Sequence, residues 1–114
     1  MLKHNHSELI KTLLDCSLAC EKCSTSCLSE KDVAMMAECI RLDRDCADIC
    51  RQAATLLERD SKIGHQFLVI CEEICWMCAA ECAKHKMDHC KACAEMCSKC
   101  AEACHEHHEP ITQK

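Results

Sequence analysis

Sixteen cysteines fall within this 114-residue chain, and most stand in rows with one repeated spacing. Cys16-x3-Cys20-x2-Cys23-x3-Cys27 recurs as Cys71-x3-Cys75-x2-Cys78-x3-Cys82 and again as Cys93-x3-Cys97-x2-Cys100-x3-Cys104, the last preceded by Cys90. A shorter row holds Cys39, Cys46 and Cys50. At about 100° per residue, side chains three and four apart leave the same side of an α-helix, with Cβ atoms about 5–6 Å apart. Each row is therefore one face of a helix, and a strand, which alternates faces at every residue, does not fit it.

The apolar positions extend these faces. Leu9 and Leu13 lead into the first row, Met36, Leu42, Ala53 and Leu57 keep step with the second, and Phe67 and Leu68 open the third, which ends at His85. Asn5 with Glu8, Ser29 with Asp32, Asp60-Ser61 and Asp88 read as N-terminal caps, and Pro110 reads as lying beyond the last helix. The predicted helices cover residues 6–28, 30–58, 61–85 and 89–107 of a single domain spanning 1–114. Connections this short force neighbours to run antiparallel, so the expected fold is all-α: an up-down-up-down four-helix bundle with a Cys-lined core.

Composition supports that core. With one Phe, one Trp, no Tyr, one Gly and one Pro, the interior must be filled by Leu, Ala, Met and Cys itself. A secreted disulfide scaffold would need loops, hence Gly and Pro. The first residues lack the apolar stretch of a signal peptide, and no run approaches the roughly 20 apolar residues that span a bilayer. Reduced thiols in the cytoplasm, with no membrane partner, are expected. A net charge of −5 with both signs on every segment argues against a nucleic-acid surface.

Thiolates at helical spacing grip soft metal ions. Cu(I) accepts two or three thiolates and needs no tetrahedral cage. About one Cu(I) per thiolate would neutralise the core, whereas two private thiolates per ion would leave several buried negative charges. Multiple Cu(I) ions per chain are expected, with sulfurs shared. The alternative is a zinc-thiolate buffer of the metallothionein kind: facing pairs could supply four thiolates to each of about four Zn ions, at the cost of about two uncompensated charges per site. Iron–sulfur clusters draw on loop-borne cysteines, which are absent here. A redox enzyme would need a poised nucleophile and a resolving partner, and neither stands out, so no enzymatic activity is expected.

These rows, together with His85-Lys86-Met87-Asp88-His89-Cys90-Lys91-Ala92-Cys93-Ala94-Glu95-Met96-Cys97, give the chain its resemblance to the bacterial copper storage proteins over about residues 7–108. The segment looks like that family's histidine-containing turn into the last helix. The resemblance implies cytosolic Cu(I) storage on core thiolates and a homotetramer of bundles. The sequence departs from the repeat at Asp43, which stands where a cysteine would pair with Cys39, and makes Cys39 the place to expect an exception.

Up-down topology also gives the rows a direction. Leu9, Leu13, Ala53, Leu57, Phe67 and Leu68 gather at one end as an apolar plug, with Cys104 and a tail of His105, His107 and His108 read as solvated. Cys27, Met35, Met36, Cys39, His85, Met87, His89 and Cys90 gather at the other. Thioethers and imidazoles hold Cu(I) more weakly than thiolates do, which suits a mouth that captures ions and hands them inward. Trp76, turned about 100° off the inner stripe from Cys75, is expected at an outer seam or oligomer contact.

Overall fold

The alternating steps of three and four place Leu9, Leu13, Cys16, Cys20, Cys23 and Cys27 on one buried face of helix α1 (Ser7–Cys27). The same period buries Cys39, Leu42, Cys46, Cys50, Ala53 and Leu57 on α2 (Ala37–Glu58), and Leu68, Cys71, Cys75, Cys78 and Cys82 on α3 (Gly64–Cys82). Helix α4 (Asp88–Thr112) carries the last row. This computed structural model describes residues 6–112, with side chains described for 6–108, and the described residues contain no strand.

Helix α1 packs on α2 and α4, and α3 packs on the same two, so α1 faces α3 and α2 faces α4 across the core. The result is a rod with extents of 52 × 24 × 18 Å. Small residues let the helices approach closely: Ala47 and Ala54 of α2 and Ala79 and Ala101 of the α3/α4 pair are buried. The buried Ser17 hydroxyl donates to the Ala47 carbonyl at 3.0 Å and accepts from the Arg51 guanidinium at 2.8 Å, tying α1 to α2. A buried hydroxyl satisfied on both sides costs little.

The helix ends differ from the sequence expectation. The Asn5 cap lies outside the described residues, and the observed N-cap of α1 is His6, whose side chain makes no capping hydrogen bond to the helix. Helix α2 begins at Ala37 and not at 30: Ser29 sits in a turn, and Asp32 caps a separate 3-10 turn, Val33–Met36, accepting from the Met35 amide. Asp60 does not start α3 but finishes α2. It adopts φ 55°, and the Ser61 amide reaches back to the Leu56 carbonyl at 2.9 Å, a Schellman-type close normally given to glycine. The actual glycine, Gly64, opens α3 pressed against the leucine plug, where an added Cβ would meet Leu57 Cδ2 at 3.3 Å. Helix α3 ends at Cys82, leaving His85 in the following turn. Helix α4 runs past 107 and through Pro110 to Thr112, because a proline this near a C-terminus removes only one backbone bond.

Candidate metal centre

All sixteen cysteines are buried, and all are free thiols. Their sulfurs meet across every helix seam. Cys97 of α4 stands 3.9 Å from Cys16 and 3.6 Å from Cys20 of α1, while Cys93 stands 3.8 Å from Cys20. Between α2 and α3, Cys39 lies 3.4 Å from Cys82, Cys46 lies 3.7 Å from Cys75, and Cys50 lies 3.7 Å from both Cys71 and Cys75. Cys27 and Cys39 join α1 to α2 at 3.9 Å. Metal–sulfur bonds of about 2.3 Å set trigonal or tetrahedral sulfurs roughly 3.8–4.0 Å apart, so these thiols already stand near ligand spacing.

They also form overlapping quartets. Cys16/Cys46/Cys50/Cys75, Cys16/Cys20/Cys46/Cys97 and Cys20/Cys78/Cys93/Cys97 each bring four sulfurs within 4.8 Å of one another, and Cys16, Cys20, Cys46 and Cys97 each serve two quartets. Nearer the other end, Cys23/Cys27/Cys39/Cys90 form another group. Among the described residues no Lys or Arg is buried, so no fixed positive charge is there to neutralise thiolates in the core. Burial raises the Cys27 thiol, and raises Cys90 to about 11, so metal must displace protons to bind.

Asp43 completes a further group with Cys23, Cys39 and Cys82. In the sequence it reads as a gap in the second row. In the fold it is wholly buried, and thiols of three helices donate to it: Cys78 at 3.1 Å, Cys93 at 3.3 Å, Cys82 at 3.5 Å and Cys39 at 3.8 Å. Burial, then the neighbouring Cys93 and Cys78, push its carboxyl up to about 10, so near neutrality it is protonated. The signal is present in the spacing: Cys39-x3-Asp43-x2-Cys46-x3-Cys50 is the same row as the other three, with oxygen at one position.

At the predicted mouth, His89 is the imidazole brought to the sulfurs. Its Nδ1 lies 3.5 Å from Cys23 and 3.6 Å from Cys90, while Nε2 lies 2.9 Å from the Glu30 carboxylate. In the tautomer that donates Nε2–H to the Glu30 oxygen, the Nδ1 lone pair faces the thiols. Glu30, on the turn after α1, had no sequence signal, since its partner lies 59 residues away. A surface pocket lined by Cys23, His89 and Cys93 opens at this point. His85 is held by Glu81 at 3.1 Å, Met36 is buried, Met87 is partly buried against the core, and Met35 is 66% exposed.

The opposite end is closed, with Leu9, Leu13, Ala53, Leu57 and Leu68 buried and Phe67 partly so. Of the histidines there, His105 is exposed and His107 half-buried, but His108 does not belong to a solvated tail. His108 is buried, its Nε2 lying 2.6 Å from Glu72, and His105 reaches the same carboxylate at 3.3 Å. Burial works to raise the Glu72 carboxyl, but its bonds with His108, Trp76 and His105 outweigh that and lower it. Trp76 is 41% exposed and donates its indole N–H to Glu72 at 3.2 Å.

Known proteins share this fold. Residues 2–109 match the family model for copper storage proteins. YhjQ, a cysteine-rich protein of Bacillus subtilis (strain 168), is 45% identical over 83 residues, which cover 73% of this chain and 77% of that protein. The structure of the Cu(I)-bound copper storage protein BsCsp3 is 42% identical with a TM-score of 0.85, covering 89% of this chain and 95% of the other. A cytosolic copper storage protein from Streptomyces lividans, solved with five coppers, is 38% identical with a TM-score of 0.87 over 90% and 91% of the two chains. A bundle whose buried faces are sulfur, matched at this identity along nearly its whole length, places the chain in the copper storage protein family.

Proposed function

We propose that this chain stores Cu(I) as cargo in the cytoplasm, with all sixteen cysteines and Asp43 as ligands and with no catalytic step. The observation that carries the reading is the overlap of the quartets. Sulfurs that belong to two groups bridge ions, and bridging is what lets about one Cu(I) bind per thiolate without building up buried charge. Ions enter at the end where His89 faces Cys23 and Cys90, with His85, Met36 and Met87 beside it and Met35 outermost. The cytosolic setting and the homotetramer come from likeness to the family, and residues 1–114 act as one storage unit.

Titration of the reduced protein with Cu(I) under anaerobic conditions tests this. Saturation is expected on the order of one ion per cysteine, with a proton released for each thiol that was protonated. Saturation at two ions or fewer per chain would refute storage. The quartets also fit tetrahedral Zn(II), so the same titration with Zn(II) separates the readings: a zinc buffer would take up about four Zn ions and keep them against Cu(I).

A further inference from the structure

Outside the thiol core, Glu72 of α3 collects two imidazoles and an indole. Its Oε1 lies 2.6 Å from His108 Nε2, and Oε2 lies 3.2 Å from His105 Nδ1 and accepts from Trp76. The two histidines stand three residues apart on α4, so both face α3, and their rings meet edge to face with centroids 5.4 Å apart. Glu72, Trp76, Glu102, His105 and Glu106 line a surface cleft at this point. Copper storage in the core makes no use of this group.

We propose that Glu72, His105 and His108 form a separate site for a borderline divalent transition-metal ion of the Zn(II) or Ni(II) class. Two imidazoles and a carboxylate are the donor set such ions take, and one with no thiolate in it does not favour Cu(I). Bonds of about 2.0–2.1 Å put tetrahedral ligand atoms roughly 3.3–3.4 Å apart. The Glu72–His105 separation already matches, and the Glu72–His108 contact opens when the metal replaces the proton those two groups share. The half-exposed His105 and the acidic cleft give a hydrated cation a way in and leave a position for water. One feature limits affinity. His108 Nδ1 is buried without a partner among the described residues, and a metal-bound imidazole that lacks its outer hydrogen bond loses about 10–100-fold in affinity, so binding is expected to be weaker than at a fully supported site. Occupancy would pin the last turns of α4 to α3.

Thiolate-bound Cu(I) is diamagnetic, and the chain has a single tryptophan, so the indole N–H of Trp76 gives one NMR cross-peak in the copper-filled protein. Addition of Ni(II) should broaden that peak saturably at about one equivalent per chain, and Zn(II) should compete it away. His105→Ala and Glu72→Gln should each weaken the effect at least about tenfold. His107→Ala should leave it intact, because His107 turns to its own helix, Nδ1 lying 3.0 Å from the Ala103 carbonyl. Unchanged helical circular dichroism and Cu(I) capacity in His105→Ala, whose side chain is half exposed, would separate loss of a ligand from loss of fold. Broadening that fails to saturate, a Trp76 peak that stays sharp in the wild type, or a response in both variants as strong as in the wild type would overturn the proposal. Ni(II) bound elsewhere on the chain would leave the peak sharp.

Discussion

Asp43 puts a carboxyl into a row otherwise made of sulfur, and the copper-free fold must keep that carboxyl uncharged. An ordinary aspartate titrates near about 3.9, and burial with the Cys93 and Cys78 neighbours takes this one to about 10. Between those values the folded protein holds a proton that the unfolded chain has released. Its contribution to stability is complete below the unfolded pKa and declines as pH rises through the window, with a slope approaching about 1.4 kcal/mol per pH unit. Asp43→Asn should flatten that slope. Urea midpoints of the apo protein between about pH 5 and 8, where unfolded thiols still hold their protons, provide the measurement; parallel curves for the two proteins would contradict the assignment. Glu30 acts on a different residue, His89. With Glu30→Ala the ring is free to turn its Nδ1 from the sulfurs, so Cu(I) transfer from a chelator in stopped flow should slow by about 10–100-fold while the capacity stays the same. The cysteine rows can be read from spacing because a helix face is a local property. The contact of Glu30 with His89 and the thiols of α3 and α4 that reach Asp43 cannot, because both depend on which helices meet.

Helix bodies are legible for the same reason that the rows are, and helix ends are not. Ser29, Asp32 and Asp60 all have side chains that suit a cap, yet none starts the helix that its position suggests. The chain between α1 and α2 coils Val33–Met36 into a 3-10 turn, and Asp60 takes the left-handed close of α2. A β-carbon at φ 55° is a strain that glycine does not carry. Asp60→Gly should therefore stabilise the apo protein by about 0.5–1 kcal/mol. The substitution also removes the pairing of Asp60 with His6, but at 3.8 Å and on a largely exposed aspartate that pairing is worth less. A thermal midpoint that falls would place the strain elsewhere. Pro110 misleads in the other direction: read as a terminator, it hides the last turns of α4 and with them the docking of His108 on Glu72.

The whole molecule is a narrow rod whose interior is given over to thiols, and its outer faces still carry large apolar side chains. Leu14 and Leu18, one turn apart on α1, are 43% and 66% exposed, and Ile70 and Met77 of α3 are about as open. Such faces suit the tetramer implied by family likeness. Leu18→Glu should lower the mass measured by light scattering without changing the copper bound per chain, and a wild-type protein that runs as a monomer would remove the tetramer from the reading.

The shared sulfurs bear finally on how cargo leaves. An ion held by Cys16, Cys46 and Cys50 needs only to gain Cys20 or Cys97 to have moved one step, because Cys16 and Cys46 are common to both groups. Each step makes a bond before breaking one, so no ion passes through a bare state on its way along the rod. Depth within the bundle then has little influence on residence time. With exit at the proposed mouth, unloading would be a queue whose pace is set at His89, where the last thiolate is exchanged for an outside acceptor.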